Sequence, residues 1–297
     1  MSRNLNLWPI GNCQASALVD EQARFVWACL PRVDGEPLFP ALIDDTPFDD
    51  ERAGGFWGID LEGCVSVSQR YMRNSPVLIT RKTDEHGSAV DIIDFAPRYR
   101  GKGRIYRPNG FVRIVRAVSG SPRIRVRLRP SSGWNIDKVE RSYGSNHISY
   151  DINAMAMRLS TNAPIGPVGQ ESAFRVERAL YFFFGPDESF ADAIGPALEK
   201  MLDDTLDEWR CWVRGLATPP EYQEAVIRAA ITLKLCQHED TGAIVAALTT
   251  SIPEHADSGR NWDYRYCWVR DAYYTVEALN RIGALDVLES YLEYLRN

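Results

Sequence analysis

The feature that most constrains this chain is a change of hydrophobic period near residue 185. Before it, short runs rich in Val, Ile, Phe, Tyr and Trp alternate with Gly, Pro, Asn and Asp, the pattern of strands and turns. Candidate strands cover residues 16–19, 24–30, 65–71, 76–80, 90–95, 111–118, 123–129 and 174–184. Many short strands with no helical segment between them predict an antiparallel sandwich rather than βαβ units. After the change, Phe190, Ile194, Leu198, Met201, Leu202, Leu206, Trp209 and Val213 recur at helical spacing. They read as one helix, or as two short ones about Gly195-Pro196. Thr218-Pro219-Pro220 reads as a helix start, followed by the apolar face Tyr222, Val226, Ala229, Leu233 and Cys236. Two more helices are expected over 271–282 and 285–295, with Gly283 as the stop between them. The fold class is therefore β then α. An N-terminal antiparallel β-sandwich covers 1–185, a helical linker 186–218, and a helical domain opens at 219 and runs to 297.

A chain of 297 residues agrees with about two domains, and 45% hydrophobic with 25% charged residues supplies a core and excludes wholesale disorder. The net charge of -6 argues against a chain built to hold a polyanion and favours a neutral or small-molecule partner. Arg3 is not followed by the apolar run of a secretory signal, and the densest apolar run, 179–184, falls far short of the roughly 18 residues of a membrane span. A cytoplasmic protein with no membrane partner is expected. The six cysteines, at 13, 29, 64, 211, 236 and 267, form no CxxC pair and are expected to be buried thiols. Leu285, Leu288, Leu292 and Leu295 make an apolar stripe that needs a partner surface beyond these helices. The expectation is a fragment, or a part of an assembly that supplies the rest.

Residues 95–136 hold eleven basic side chains and no acidic one. A nucleic-acid groove is one reading. Against it, Arg123, Arg125, Arg127 and Arg129 alternate with Ile124, Val126 and Leu128, which predicts a strand with its arginines on a solvated or ion-paired outer face. Gly101-Lys102-Gly103 completes no phosphate-binding loop. There is no HExxH and no GxSxG, and His86, His147, His238 and His255 lack metal-ligand spacing; Cys236 and His238 would make at most half a zinc site. No metal and no cofactor is expected.

The segment 248–272, LTTSIPEHADSGRNWDYRYCWVRDA, stands apart. A polar loop with Glu254, His255, Asp257 and Asp263 runs into Trp262, Tyr264, Tyr266 and Trp268, then into Arg270-Asp271 at a helix start. Sugar rings offer apolar C–H faces and a belt of hydroxyls, so a sugar site needs flat aromatic surfaces beside bidentate donors and acceptors. Asp271 in a first helical turn is also electrostatically favoured. The plainer reading has the aromatic residues merely packing the helix entrance.

NWDYRYCWVRDA resembles the first substrate-binding segment of the glucoamylase family, family 15 of the glycoside hydrolases, in its bacterial glucoamylase and trehalase branch. IGNCQASALVD, from Ile10, followed by FVWACLP, from Phe25, is similar to the start of that branch's N-terminal domain. The two motifs lie about 250 residues apart in the expected order. The resemblance implies an N-terminal sandwich, a helical linker and an (α/α)6 barrel of which 219–297 would be the beginning. It also implies an exo-acting, inverting α-glucosidase on maltooligosaccharides or related α-glucosides, with trehalose as the alternative substrate. Arg270 and Asp271 match the pair that holds the hydroxyls of the terminal glucose, and Tyr264 and Trp268 match aromatic positions of the same subsite. The family's general acid and base are glutamates held roughly 6.5–9.5 Å apart. Both are expected downstream of Asn297, so no catalytic residue is assigned within the chain. Two other classes stay open at this point: a non-catalytic carbohydrate-binding or assembly module, and RNA binding through the arginine-rich strands. The sequence does not fix the oligomeric state.

Overall fold

The computed structural model describes residues 4–134, 139–255 and 258–297; Arg3 and Asp257 lie outside the described residues. Two antiparallel sheets face each other, followed by helices. One sheet runs, edge to edge, through Trp8–Gly11, Ser16–Val19, Phe25–Cys29, Phe56–Leu61, Arg123–Arg129 and Phe174–Arg175, with Pro37–Phe39 added onto Phe25–Cys29. The other runs through Arg141–Tyr143, His147–Ile152, Met155–Thr161, Leu180–Pro186, Phe111–Ser119, Ala89–Phe95, Leu78–Asp84 and Cys64–Tyr71. A short helix, α1 (Ile165–Gly169), interrupts the strands; α2 (Ile194–Arg214), α3 (Gln223–Leu235), α4 (Val269–Arg281) and α5 (Leu285–Arg296) follow.

Between the sheets, the Phe25 ring meets Trp57 at 5.4 Å and Phe111 at 5.6 Å, both edge to face. The outer faces are covered as well. Leu198, Leu202 and Leu206 of α2 pack on Ile93, Val112 and Phe183 of the eight-stranded sheet. Trp209 and Val213 of the same helix join Val26, Trp27 and Phe56 of the other sheet, together with Ile231 of α3, Leu279 of α4 and Val287 of α5. Burial on both faces explains why residues 180–184 are apolar at every position: Phe182 and Phe184 enter the inter-sheet core while Phe183 faces α2. The Arg113–Asp94 pair is wholly enclosed: Arg113 forks onto Asp94 at 2.8 and 3.1 Å and donates to the Trp57 carbonyl.

Several sequence expectations are narrowed or changed. Of the two readings of the linker region the single helix holds, because Gly195 and Pro196 fall in its first turn, where Pro removes no intrahelical bond. The helix after Pro219-Pro220 starts only at Gln223, after Tyr222 has turned through a left-handed φ of 57°. The expected strand 174–184 is two, Phe174–Arg175 and Leu180–Pro186; beside the break, Asn162 bonds the Ala179 carbonyl and the Tyr181 N–H. Cys13, Cys29 and Cys236 are buried, and burial pushes their thiols up to about 12, but Cys64 and Cys267 are only half-buried and Cys211 is exposed.

The basic run is engaged inside the molecule. Arg98, Arg100, Arg107, Arg113, Arg116, Arg123, Arg127 and Arg129 each pair with a carboxylate. Ile124, Val126 and Leu128 are core, and Arg123 and Arg125 are exposed as expected; Arg127 is buried, bonded to Asp60 and to the carbonyl of Phe48 in the loop that folds over it. No described helix is long and apolar enough to cross a membrane.

Candidate functional site

Two interlocking devices set the position of the aromatic segment. The first is the turn at Ile10-Gly11-Asn12-Cys13. The Asn12 side chain accepts the N–H of Gln14 and Ala15 and donates to the carbonyls of Pro97 and Pro108. A Cβ on Gly11 would stand 2.9 Å from the Ala15 oxygen and 3.1 Å from Leu235 of α3, so only glycine lets this turn seat against the helix. Cys13 donates its thiol to the Lys234 carbonyl and accepts the Glu239 N–H.

The second device is a buried charge cluster on Glu239. Its carboxylate takes both arms of Arg98 at 2.8 and 3.0 Å, the Arg107 guanidinium, and Lys234 Nζ at 2.8 Å. Burial pushes the Glu239 carboxyl up, but Arg98 and Lys234 outweigh it and hold it at about 2. Two strand-flanking arginines and one helical lysine are thereby joined through a single acid. Beyond it the chain turns at Gly242, where φ is 81° and a Cβ would fall 2.1 Å from the Ser290 carbonyl of α5. Residues 244–247 then run alongside the aromatic segment: Ala246 and Ala247 donate to the carbonyls of Tyr266 and Tyr264.

On this support Trp262, Tyr264 and Trp268 gather. Trp268 lies 6.1 Å from each of the other two rings and donates its indole N–H to the Asp263 carbonyl at 2.9 Å, closing the loop ahead of α4. Trp268 is the N-cap of α4, which places Asp271 in the first turn, where the helix dipole favours its charge. Arg270 touches the Asp271 carboxylate at 3.2 Å, with side-chain exposures of 69% and 30%. Both charged groups are open to a ligand. Tyr266 stands apart from the ring cluster, exposed, with its carbonyl accepting the Ala246 N–H. Glu254 faces Arg260 at 3.9 Å, a loose surface pair. Among the described residues no group of three or more His, Cys, Asp or Glu could hold a metal ion.

Within the loop, the Asp263 side chain is engaged locally. It is held by Arg265, whose guanidinium forks onto its carboxylate, donates to the Gly35 carbonyl at 2.8 Å and lies 5.3 Å from the Trp134 ring. Burial pushes the Asp263 carboxyl up, but Arg265 more than offsets this and keeps it below the usual carboxylate range. Sequence reasoning passed over Arg265, which sits in the turn between Tyr264 and Tyr266 and reaches back to Gly35 in the N-terminal half of the chain. Arg265→Ala should destabilise the chain by about 2–3 kcal/mol, the scale of lost charge-assisted hydrogen bonds. The check is a lower denaturation midpoint at unchanged slope, with Arg265→Lys recovering less than half because an ammonium cannot fork.

Comparison with known proteins places this architecture in a class. Residues 6–156 match the family described as trehalase-like, N-terminal, and residues 220–297 match glycosyl hydrolases family 15. The chain belongs to the family that carries the trehalase-like N-terminal domain ahead of a family 15 glycosyl hydrolase segment. Relatives named trehalase occur in Thermoplasma volcanium, 28% identical over 92% of this chain, in Mycolicibacterium smegmatis, 26% over 92%, and in Mycobacterium tuberculosis, 27% over 92%. The chain spans 44%, 44% and 43% of the length of these three relatives.

Proposed function

We propose that this chain supplies the sandwich and the first helices of a trehalase-type α-glucoside hydrolase, in which Tyr264, Trp268, Arg270 and Asp271 hold a terminal glucose. The observation that carries the reading is the grouping of an aromatic surface with an open Arg270–Asp271 pair at the start of α4, inside the segment that matches family 15. The Asp271 carboxylate accepts from vicinal hydroxyls, Arg270 donates, and the rings of Tyr264 and Trp268 cover the C–H face. These residues hold and orient the sugar; they move no proton. Trehalose takes precedence over maltooligosaccharides because the relatives above bear the trehalase name. A subsite that reads only the terminal glucose also suits a maltooligosaccharide, which keeps glucoamylase-type action as the second reading.

The division into a sandwich (1–185), a linker (186–218) and the start of an (α/α)6 barrel (219–297) belongs to the same proposal. Tyr273, Tyr274, Leu285, Leu292 and Leu295 are all more than half exposed on α4 and α5, a surface suited to packing against further helices.

The test is proton NMR of trehalose treated with the gene product that contains this chain. Inverting cleavage releases one β- and one α-glucose per turnover, since only the attacked carbon changes configuration. Hydrolysis of maltose but not of trehalose would replace the trehalase reading with the glucoamylase one, and inertness toward both would end the glycosidase reading.

A further inference from the structure

Away from the aromatic segment, a cavity of about 490 Å³ opens between the sandwich and the start of α2. One wall is a small hairpin, Tyr99–Gly101 paired with Arg104–Tyr106, turned by Lys102 and Gly103 at φ of 48° and 76°. The hairpin lies outside both large sheets, and Arg100 ties it to Glu208 of α2. Its strand ends bring Tyr99 and Tyr106 into a near-parallel stack, 5.5 Å apart at 14°, with Tyr106 40% exposed. The floor is Phe183 edge to face with Phe190 at 5.4 Å. A Cβ at Gly110 or Gly185 would sit 2.9 or 2.6 Å from the Phe183 ring, so two glycines make room for that floor. The rim is polar and carries little net positive charge. Arg107 is neutralised by Glu239 and Asp240, and Glu188 is exposed, whereas the Asn109 side-chain oxygen is enclosed behind the rim and has no hydrogen-bond partner among the described residues.

We propose that this cavity is a second carbohydrate site, which takes one pyranose unit of a neutral α-glucoside with its ring face on Tyr106. A parallel tyrosine pair presents a rigid flat surface to C–H groups, while the exposed Glu188 carboxylate at the rim accepts from hydroxyl donors. A neutral sugar supplies both. An anion meets Glu188, and a purely apolar ligand displaces water from that carboxylate without supplying a donor. The choice of a glucoside rests on the proposed function; the site itself does not, since it shares no residue with Tyr264, Trp268, Arg270 or Asp271.

Met201 lines the cavity and supplies its own reporter. With the methionine methyls carbon-13 labelled and Met201 assigned through Met201→Leu, titration with trehalose and with maltotriose should shift the Met201 signal with a Kd of about 1–10 mM. Tyr106→Ala should weaken that response at least about fivefold and Tyr106→Phe should preserve it. Asp271→Ala should leave it unchanged, which separates failure of this site from failure of the proposed function. Should Tyr106→Ala disturb the other methionine signals, Ala191→Trp at the exposed mouth should abolish the shift by filling the cavity. A Met201 signal indifferent to both sugars, an equal shift with glycerol or tetramethylammonium chloride, or a response unaltered by Ala191→Trp would each overturn the proposal.

Discussion

Glu239→Ala should destabilise the folded chain by about 3–5 kcal/mol, because it strands Arg98, Arg107 and Lys234 without the acid that joins them. Glu239→Gln keeps the volume and loses the charge, and should recover only a small part. The effect depends on pH with a definite sign. The folded-state carboxyl is held at about 2 against an ordinary 4.5, so the unfolded chain takes up the proton first. Its contribution, about 3 kcal/mol by linkage, is therefore complete above about pH 4.5 and lost as pH falls toward 2. Chemical denaturation at pH 7, 4.5 and 3 should show the gap between the native chain and Glu239→Gln narrowing as acid is added. A gap that is constant across this range would mean that the carboxylate is not what joins the cluster.

On the proposed function, Asp271→Ala in the gene product that contains this chain should lower kcat/KM for trehalose by at least about tenfold, equal to about 1.4 kcal/mol of transition-state stabilisation. A carboxylate that accepts from two sugar hydroxyls positions the reacting bond, so the loss should fall on kcat as well as on KM. Since Asp271 is partly exposed and, among the described residues, pairs with its neighbour Arg270 alone, the substitution should leave the unfolding midpoint nearly unchanged. Kinetics equal to those of the native enzyme would remove Asp271 from the sugar site. Loss of activity with a matching loss of stability would reduce it to a residue of the helix start.

The order of strands and helices was legible because period two and period 3.6 are local properties. The strands Ser16–Val19 and Arg123–Arg129 stand where their alternation places them, and α4 and α5 lie within two residues of their expected bounds. Phe56–Leu61 was not legible. It follows Gly54-Gly55, contains Gly58, and becomes a strand by pairing with Arg123–Arg129 more than sixty residues away. The meander from Arg141–Tyr143 to Met155–Thr161 was hidden in the same way, by polar and small residues that a sheet edge tolerates. At the site, the ring cluster and the Arg270–Asp271 pair followed from residue types in one short segment. The contacts that hold that segment in place did not, since Arg265 with Gly35, and Glu239 with Arg98, join residues 230 and 141 positions apart.

The helix α2 belongs to two hydrophobic clusters at once, with Leu198, Leu202 and Leu206 in one and Trp209 and Val213 in the other. It acts as a splint laid across a joint. Neither cluster can loosen without pulling on a helix whose far end is clamped in the other, so the sandwich and the helices share one mechanical fate. A cut on either side of α2 leaves one of its apolar stretches without cover, and the chain therefore has no neutral seam at which the aromatic segment ahead of α4 could be detached from the sheets that carry it.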